Sequence, residues 1–224
     1  MKNLSEDIEQ TIKGVQARKI ILQTLLEGAP RKGSDLRRAL ADAFDRRIDG
    51  ISDALIYFNL QALENAGYIY SYREWKDKYA LISPEWVQPL RNYFRVVAPV
   101  AVLGFIGEDP RLHLQLRMKF KLARGIKKPE KFFFFTNSKM RRKISGFFDN
   151  VRVEFINEDY LQNYKHILKT IEDKVKDLIH KYEVIVEVGH GERFCSMALH
   201  QIALEYRLRS FYITEDDQII WIDE

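Results

Sequence analysis

A helical hydrophobic period up to about residue 95, strands alternating with helices from Val96 onward, and a closing pair of strands joined by a short acidic turn predict an α/β chain. The expected architecture is an N-terminal winged helix-turn-helix followed by a Rossmann-like, mostly parallel sheet with a C-terminal antiparallel hairpin. The change of period puts one domain at residues 1–88 and a second at 96–224. At 224 residues, 46% hydrophobic and 30% charged, the chain is long enough to build two cores.

In the first half, Ile12, Val15, Lys19, Leu22 and Leu26, with Ile20 and Leu25 between them, follow the spacing of a buried helix face, and Gly28 and Pro30 end that helix. Ser34 is the expected N-cap of a second helix through Phe44, and Ser52 that of a third through Asn65, closed by Gly67. On the third helix, Ile56, Leu60 and Leu63 make one apolar stripe, and Ile51, Leu55, Phe58 and Ala62 an adjacent one. Asp53, Ala54, Tyr57, Gln61 and Glu64 fill the remaining face. Residues 68–72 and 78–82, joined by a polar turn over 73–77, read as a two-stranded hairpin. Three helices and a hairpin in this order make a winged helix-turn-helix.

In the second half the strands are expected at 100–105, 131–136, 151–156, 184–188, 210–214 and 218–222. Helices are expected at 110–124, in a short basic segment after Thr136, at 161–182 and at 194–207. Strands separated by helices give a mostly parallel sheet covered on both faces, and the turn Glu215-Asp216-Asp217 adds an antiparallel edge.

Composition excludes several classes. Eleven Gly and six Pro are too few for collagenous or low-complexity chains, and 25 Phe and Tyr are too many for a disordered one. The single cysteine, Cys195, cannot close an intramolecular disulfide, and no Cys/His cluster has zinc-finger spacing, so neither a metal nor a cofactor is expected. Cys195 reads as a small buried hydrophobe. The start MKNLSEDIEQ has no apolar signal core, and the longest apolar run, 96–107, is interrupted by Pro99 and falls short of the roughly 20 residues that span a bilayer. A cytoplasmic chain without a membrane partner is expected. Thirty-six basic against 32 acidic residues give a net charge of only +4, yet residues 117–143 carry eleven basic residues against Glu130 alone. That run is expected either to face a polyanion or to form a solvated surface.

Ligands of open α/β sheets bind beyond the C-terminal strand ends, where glycine turns bring backbone N–H groups and helix N-termini together against anions. Gly104-Phe105-Ile106-Gly107 follows the first such strand, Gly189-His190-Gly191-Glu192-Arg193 follows the fourth, and Thr136-Asn137-Ser138 ends the second. Neither glycine turn is GxGxxG, and no acid ends the second strand to hold a ribose, which argues against a nicotinamide dinucleotide. No catalytic set is assigned; His190 is the single candidate general acid or base. In the N-terminal half, Arg46, Arg47, Arg73, Lys76 and Lys78 are candidate phosphate contacts, and Tyr57 and Gln61 candidate base-edge contacts. Asp53 and Glu64 share that face, where phosphates repel carboxylates.

Two resemblances sharpen these expectations. Leu60-Gln61-Ala62-Leu63-Glu64-Asn65-Ala66-Gly67-Tyr68-Ile69, with the hairpin over 73–79, resembles the recognition helix and wing of ArsR-like winged-helix regulators, over about residues 15–83. Val184-Ile185-Val186-Glu187-Val188-Gly189-His190-Gly191-Glu192-Arg193, followed by 211–222, is similar to the C-terminal half of a CARF domain, the CRISPR-associated Rossmann fold. The likeness runs over 96–224 in element order, with its motifs at 184–222.

The second resemblance implies a symmetric homodimer whose first-strand and fourth-strand turns line a pocket for a cyclic oligoadenylate. It assigns Gly104 to Gly107 and Gly189 to Arg193 to that ligand, with Thr136 to Ser138 nearby. Together the two imply a ligand-responsive transcriptional regulator of CRISPR-type defence that binds double-stranded DNA through the winged helix. Two alternatives stay open. One is a ring nuclease that cleaves cyclic oligoadenylate with His190. The other is a winged-helix protein-interaction module without DNA or nucleotide ligand, which Asp53 and Glu64 favour.

Overall fold

The computed structural model describes residues 4–122, 127–144, 149–214, 216 and 218–222. Contacts divide the chain into two compact units, Met1–Val97 and Ala98–Glu224.

The first unit contains α1 (Leu4–Ile12), α2 (Gln16–Leu25), β1 (Arg31–Lys32), α3 (Gly33–Ala43), α4 (Asp53–Asn65), β2 (Ile69–Glu74), β3 (Asp77–Ile82) and α5 (Pro84–Phe94). Its antiparallel sheet has the order β1-β3-β2. Gly14, at φ +72°, separates α1 from α2, so the first predicted helix starts at Gln16 instead of Ile12. Ile21, Leu22 and Leu25 of α2 and Leu36 and Leu40 of α3 are fully buried.

Ser34 does not cap α3. The Asp35 carboxylate accepts the backbone N–H of Lys32 at 3.1 Å, and the helix starts two residues earlier, with Lys32 at the N-cap. Ser52 does cap α4, its hydroxyl accepting the Leu55 N–H at 3.2 Å, and Gly67 closes that helix at φ +78°. Of the two apolar stripes on α4, Ile56, Leu60 and Leu63 are buried, whereas Leu55 is 36% and Phe58 70% exposed. Of the second stripe, Leu55 and Phe58 face solvent, Ala62 is half-buried, and Ile51, ahead of the helix, is buried. The hairpin is tighter than its sequence suggests: β2 and β3 stay paired to Glu74↔Asp77, leaving only Trp75 and Lys76 as the turn.

The second unit contains β4 (Val100–Ile106), α6 (Leu112–Leu122), β5 (Pro129–Asn137), β6 (Val151–Ile156), α7 (Glu158–Leu161), α8 (Tyr164–Ile179), β7 (Glu183–Glu187), α9 (Arg193–Glu205), β8 (Arg209–Ile213) and β9 (Ile219–Ile222). The sheet order is β6-β5-β4-β7-β8-β9, parallel throughout except for the antiparallel β8–β9 pair. This is the predicted mixed α/β sheet with its C-terminal hairpin. The predicted helix end at Arg124, and Glu215 and Asp217 of the hairpin turn, lie outside the described residues.

All seven residues of β4 are buried. Val100, Val102 and Ile106 join Leu112, Leu116 and Phe120 of α6 in one cluster with Phe132, Phe134 and Phe211. By alternation, Ala101, Leu103 and Phe105 point to the opposite face. The single helix expected at 161–182 is α7 followed by α8, because the Asn163 side chain accepts the His166 N–H at 3.1 Å and restarts the helix.

Candidate functional site

β4 and β7 lie side by side and parallel, yet the chain leaves β4 for β5 on one flank and β7 for β8 on the other. Connections that diverge from neighbouring strand ends open a crevice between them. Its walls meet main chain to main chain, since a Cβ built on Gly107 falls 3.2 Å from both Cα and N of Gly191. Gly191 holds φ +103°, and a Cβ there would come within 2.6 Å of the Phe105 ring. Only glycine fits that place. A Cβ on Gly189 would stand 2.8 Å from Cβ of Tyr212.

The crevice is a cavity of about 610 Å³. One wall is Phe105, Ile106, Gly107, Glu108 and Asp109; the facing wall is His190, Gly191 and Glu192. Asn137, Lys139, Met140 and Lys143, from the end of β5 and the short 3-10 helix Ser138–Arg142, complete it.

The structure thus brings Phe105, Ile106, Gly107, Asn137, His190, Gly191 and Glu192 to one cavity. The other sequence candidates stand apart from its lining. Gly104 lies within β4, where a Cβ would sit 3.2 Å from that of Glu187. Thr136 is fully buried and its hydroxyl donates to the Ile106 carbonyl at 2.8 Å, tying β5 to β4. Ser138 opens the 3-10 helix, Gly189 packs against Tyr212, and Arg193 is exposed at the first position of α9.

Sequence reasoning did not assign Lys139, Met140 and Lys143 of the lining to the site, and it missed Glu187 behind the glycine turn. Glu187 ends β7 completely buried, and its carboxylate accepts the N–H of Gly189 at 2.9 Å, the N–H of His190 at 3.3 Å, and stands 2.9 Å from His190 Nδ1. Two amides of the glycine turn therefore point inward at Glu187, leaving Gly191 and the start of α9 as the part of the turn open to an incoming anion. The hydrogen bond to Glu187 raises the His190 pKa above its ordinary value, outweighing burial, with a smaller contribution from Asp109. A carboxylate inside the apolar run Val184-Ile185-Val186-Glu187-Val188 was the available signal.

Asp109 has a lowered pKa because it accepts the Arg111 backbone N–H at 2.9 Å, and it also holds Arg111 Nε and Gln115. Lys139 pairs with Glu158 on its outer side. The basic run is not one surface. Arg117, Lys119 and Lys121 ride on α6, Lys127 and Lys128 precede β5, and Lys139, Arg141, Arg142 and Lys143 follow it, at the opposite end of a nine-residue strand. At about 3.3 Å per residue the two ends of β5 are some 25 Å apart. Of the other two members of the run, Lys131 lies within β5 and Arg124 lies outside the described residues.

No family model matches the chain, and no curated protein sequence does either. Solved structures are similar at low identity. Protein VC1899 from Vibrio cholerae is 17% identical at a TM-score of 0.42, over 55% of this chain and 33% of that one. Can2 from Sulfobacillus thermosulfidooxidans, in complex with cyclic tetra-adenylate, is 8% identical at 0.41, over 55% and 34%. Enterococcus italicus Csm6, bound to cyclic hexa-2'-fluoro-hexa-dAMP, is 13% identical at 0.39, over 55% and 36%. The chain spans about one third of the length of each of these proteins.

In the N-terminal unit the candidate contacts Arg46, Arg47, Tyr57, Gln61, Arg73, Lys76 and Lys78 are all exposed. The two acids on that side are partnered: Asp53 with Arg37 at 3.0 Å and Glu64 with Lys78 at 3.4 Å. Among the described residues, Arg46, Arg47, Arg73 and Lys76 form no ion pair. Phe58, assigned by its spacing to a buried stripe, stands beside Tyr57 on the exposed face, with ring centroids 6.2 Å apart.

Proposed function

We propose that the chain is a sensor of a cyclic oligoadenylate that regulates DNA binding: its C-terminal unit takes the ring at the crevice between the two glycine turns of a homodimer, and its N-terminal winged helix takes double-stranded DNA. The observation that carries the ligand reading is the abutment of Gly107 and Gly191 at the strand ends, which makes a cavity with backbone walls. Such walls let a phosphate approach main-chain N–H groups that side chains would cover. Lys143 supplies positive charge there, and His190 adds to it when protonated. The CARF resemblance of residues 184–222 supports the same ligand.

Calorimetric titration with cyclic tetra-adenylate, and with the hexa-adenylate, tests the reading. One ring per two chains is expected, with affinity falling about tenfold in Lys143→Ala, a charged partner lost from an anion. Absence of binding by both rings overturns it. The regulatory half expects duplex DNA binding with a steep salt dependence and a change of DNA affinity on adding the ring. Two half-sites about 34 Å apart are expected for a dimer of helix-turn-helix units.

A second reading has a specific observation in its favour. Glu187 orients the His190 imidazole through Nδ1, which leaves Nε2 to exchange a proton with a bound ring. Chromatography of cyclic tetra-adenylate after incubation separates a nuclease, which yields linear products, from a sensor, which returns the ring intact.

A further inference from the structure

The turn that joins β2 to β3 has a positive φ only at its first residue, a position that glycine ordinarily fills. Here it is Trp75, at φ +57° and 97% exposed. A bulky side chain in the left-handed region is an outlier, and an indole held wholly in water makes no packing gain that offsets it. Fold stability does not account for this residue.

Its surroundings have the chemistry of a polyanion carrying flat aromatic groups. Arg73, Lys76 and Lys78 flank the tip; of the acids beside it, Asp77 is bound to Lys32 at 2.5 Å, and Glu74 is exposed. Immediately below the tip Tyr72 stacks on Tyr79 with centroids 5.5 Å apart, and Lys32 lies 5.3 Å from the Tyr79 ring centre, so the hairpin beneath Trp75 is braced. A braced two-stranded ribbon ending in one exposed indole between cations is shaped to enter a groove. Of the hairpin's three tyrosines, Tyr72 and Tyr79 stack on each other and Tyr70 is 40% exposed further from the tip, so Trp75 is the one fully exposed ring among the described residues of the hairpin, short of the run of successive free rings that single strands use.

We infer that Trp75 is a wedge for duplex DNA: the wing tip enters a groove and the indole stacks against a base step, while Arg73 and Lys76 contact the adjoining phosphates. This inference rests on the DNA-binding half of the proposed function and adds to it an aromatic contact that the basic residues cannot make.

The test compares the full-length chain with Trp75→Gly, which relieves the left-handed backbone and keeps the fold, and with Trp75→Phe, which keeps an aromatic face. Each is titrated with a fluorescein-labelled mixed-sequence duplex at two salt concentrations. Trp75→Gly is expected to bind roughly five- to thirtyfold more weakly with an unchanged salt slope, since stacking releases no counterions, and Trp75→Phe to fall between the two. Tryptophan emission gives a second readout. Trp86 packs on Tyr68 and Trp221 on Phe211 and both are half-buried, whereas Trp75 is 97% exposed, so the quenching by DNA that disappears in Trp75→Gly is the part that reports Trp75. Equal affinities of wild type and Trp75→Gly, or unquenched emission in a wild-type complex, overturn the wedge and leave DNA binding standing. Tighter binding of the corresponding single strand than of the duplex also overturns it. No binding of the wild type to duplex at low salt overturns the DNA reading and the wedge with it.

Discussion

Gly107 and Gly191 touch through their main chains: a side-chain carbon on Gly107 would lie 3.2 Å from the Cα and the nitrogen of Gly191. Two turns from strands distant in sequence, one ending at Ile106 and the other at Glu187, are thereby locked into one cleft.

Gly191→Ala is expected to be the most damaging single change at the cleft. It places a Cβ 2.6 Å from the Phe105 ring at a backbone φ of +103°. Overpacking of this kind costs about 1–3 kcal/mol. For a chain of this size a thermal midpoint lower by several degrees is expected, at roughly 2–4 °C per kcal/mol. Gly107→Ala, at 3.2 Å, is expected to lower it less. Thermal melts of the two variants check the order.

His190 carries a pH dependence whose sign follows from its carboxylate partner. Its pKa is raised in the folded protein by the hydrogen bond to Glu187 and by Asp109, against the opposing effect of burial. The stabilisation from this contact is therefore complete below the unfolded value of about 6.5 and is lost as pH rises through the folded value. Glu187→Gln is expected to bring the His190 titration, followed by NMR, down toward or below 6.5 and to flatten this pH dependence. On the sensor reading, ring affinity rises as His190 takes up its proton.

Asp53→Ala tests the charge logic of the exposed α4 face. Asp53 is 89% exposed at its side chain, so stability should change by less than about 1 kcal/mol. Affinity for duplex DNA should rise, since a carboxylate leaves the face and Arg37 is released for phosphate. Leu63→Ala on the opposite, fully buried face should instead cost about 2–5 kcal/mol. Denaturant unfolding and DNA titration of both variants separate the two faces.

Cys195 should be silent to thiol reagents. It is fully buried in the first turn of α9, and burial pushes its thiol up to about 12, against the single backbone hydrogen bond that favours the thiolate. Modification of native protein at pH 8 is expected to proceed only as fast as α9 opens, and to become rapid in denaturant. Fast labelling in buffer contradicts this.

Where the sequence was informative, local chemistry decided the structure. Ser52 caps α4 and Gly67 ends it because both roles need only neighbouring backbone groups. The glycine turns were legible for the same reason. Ser34 failed as a cap because Asp35 reached the Lys32 amide first, a competition among adjacent polar residues that spacing does not resolve. Phe58 failed because two apolar stripes fit α4 and the available core covers one. Basic residues contiguous in sequence diverged because β5 runs through the middle of them. Glu187 was hidden because its role depends on a turn folding back over its own strand, which is a tertiary fact.

β4 lies between two parallel neighbours with every side chain covered, so its amides can exchange with solvent deuterium only when the whole unit opens. The segment from Gly107 to Asp109 hangs from the end of that strand and forms the rim of the cleft. The cleft is thus expected to have a slowly exchanging backbone at its root and a faster-exchanging lip a few residues away. A molecule that settles there slows the lip by covering it, and slows the root as well, because it binds only the folded unit and makes the opening through which the root exchanges rarer.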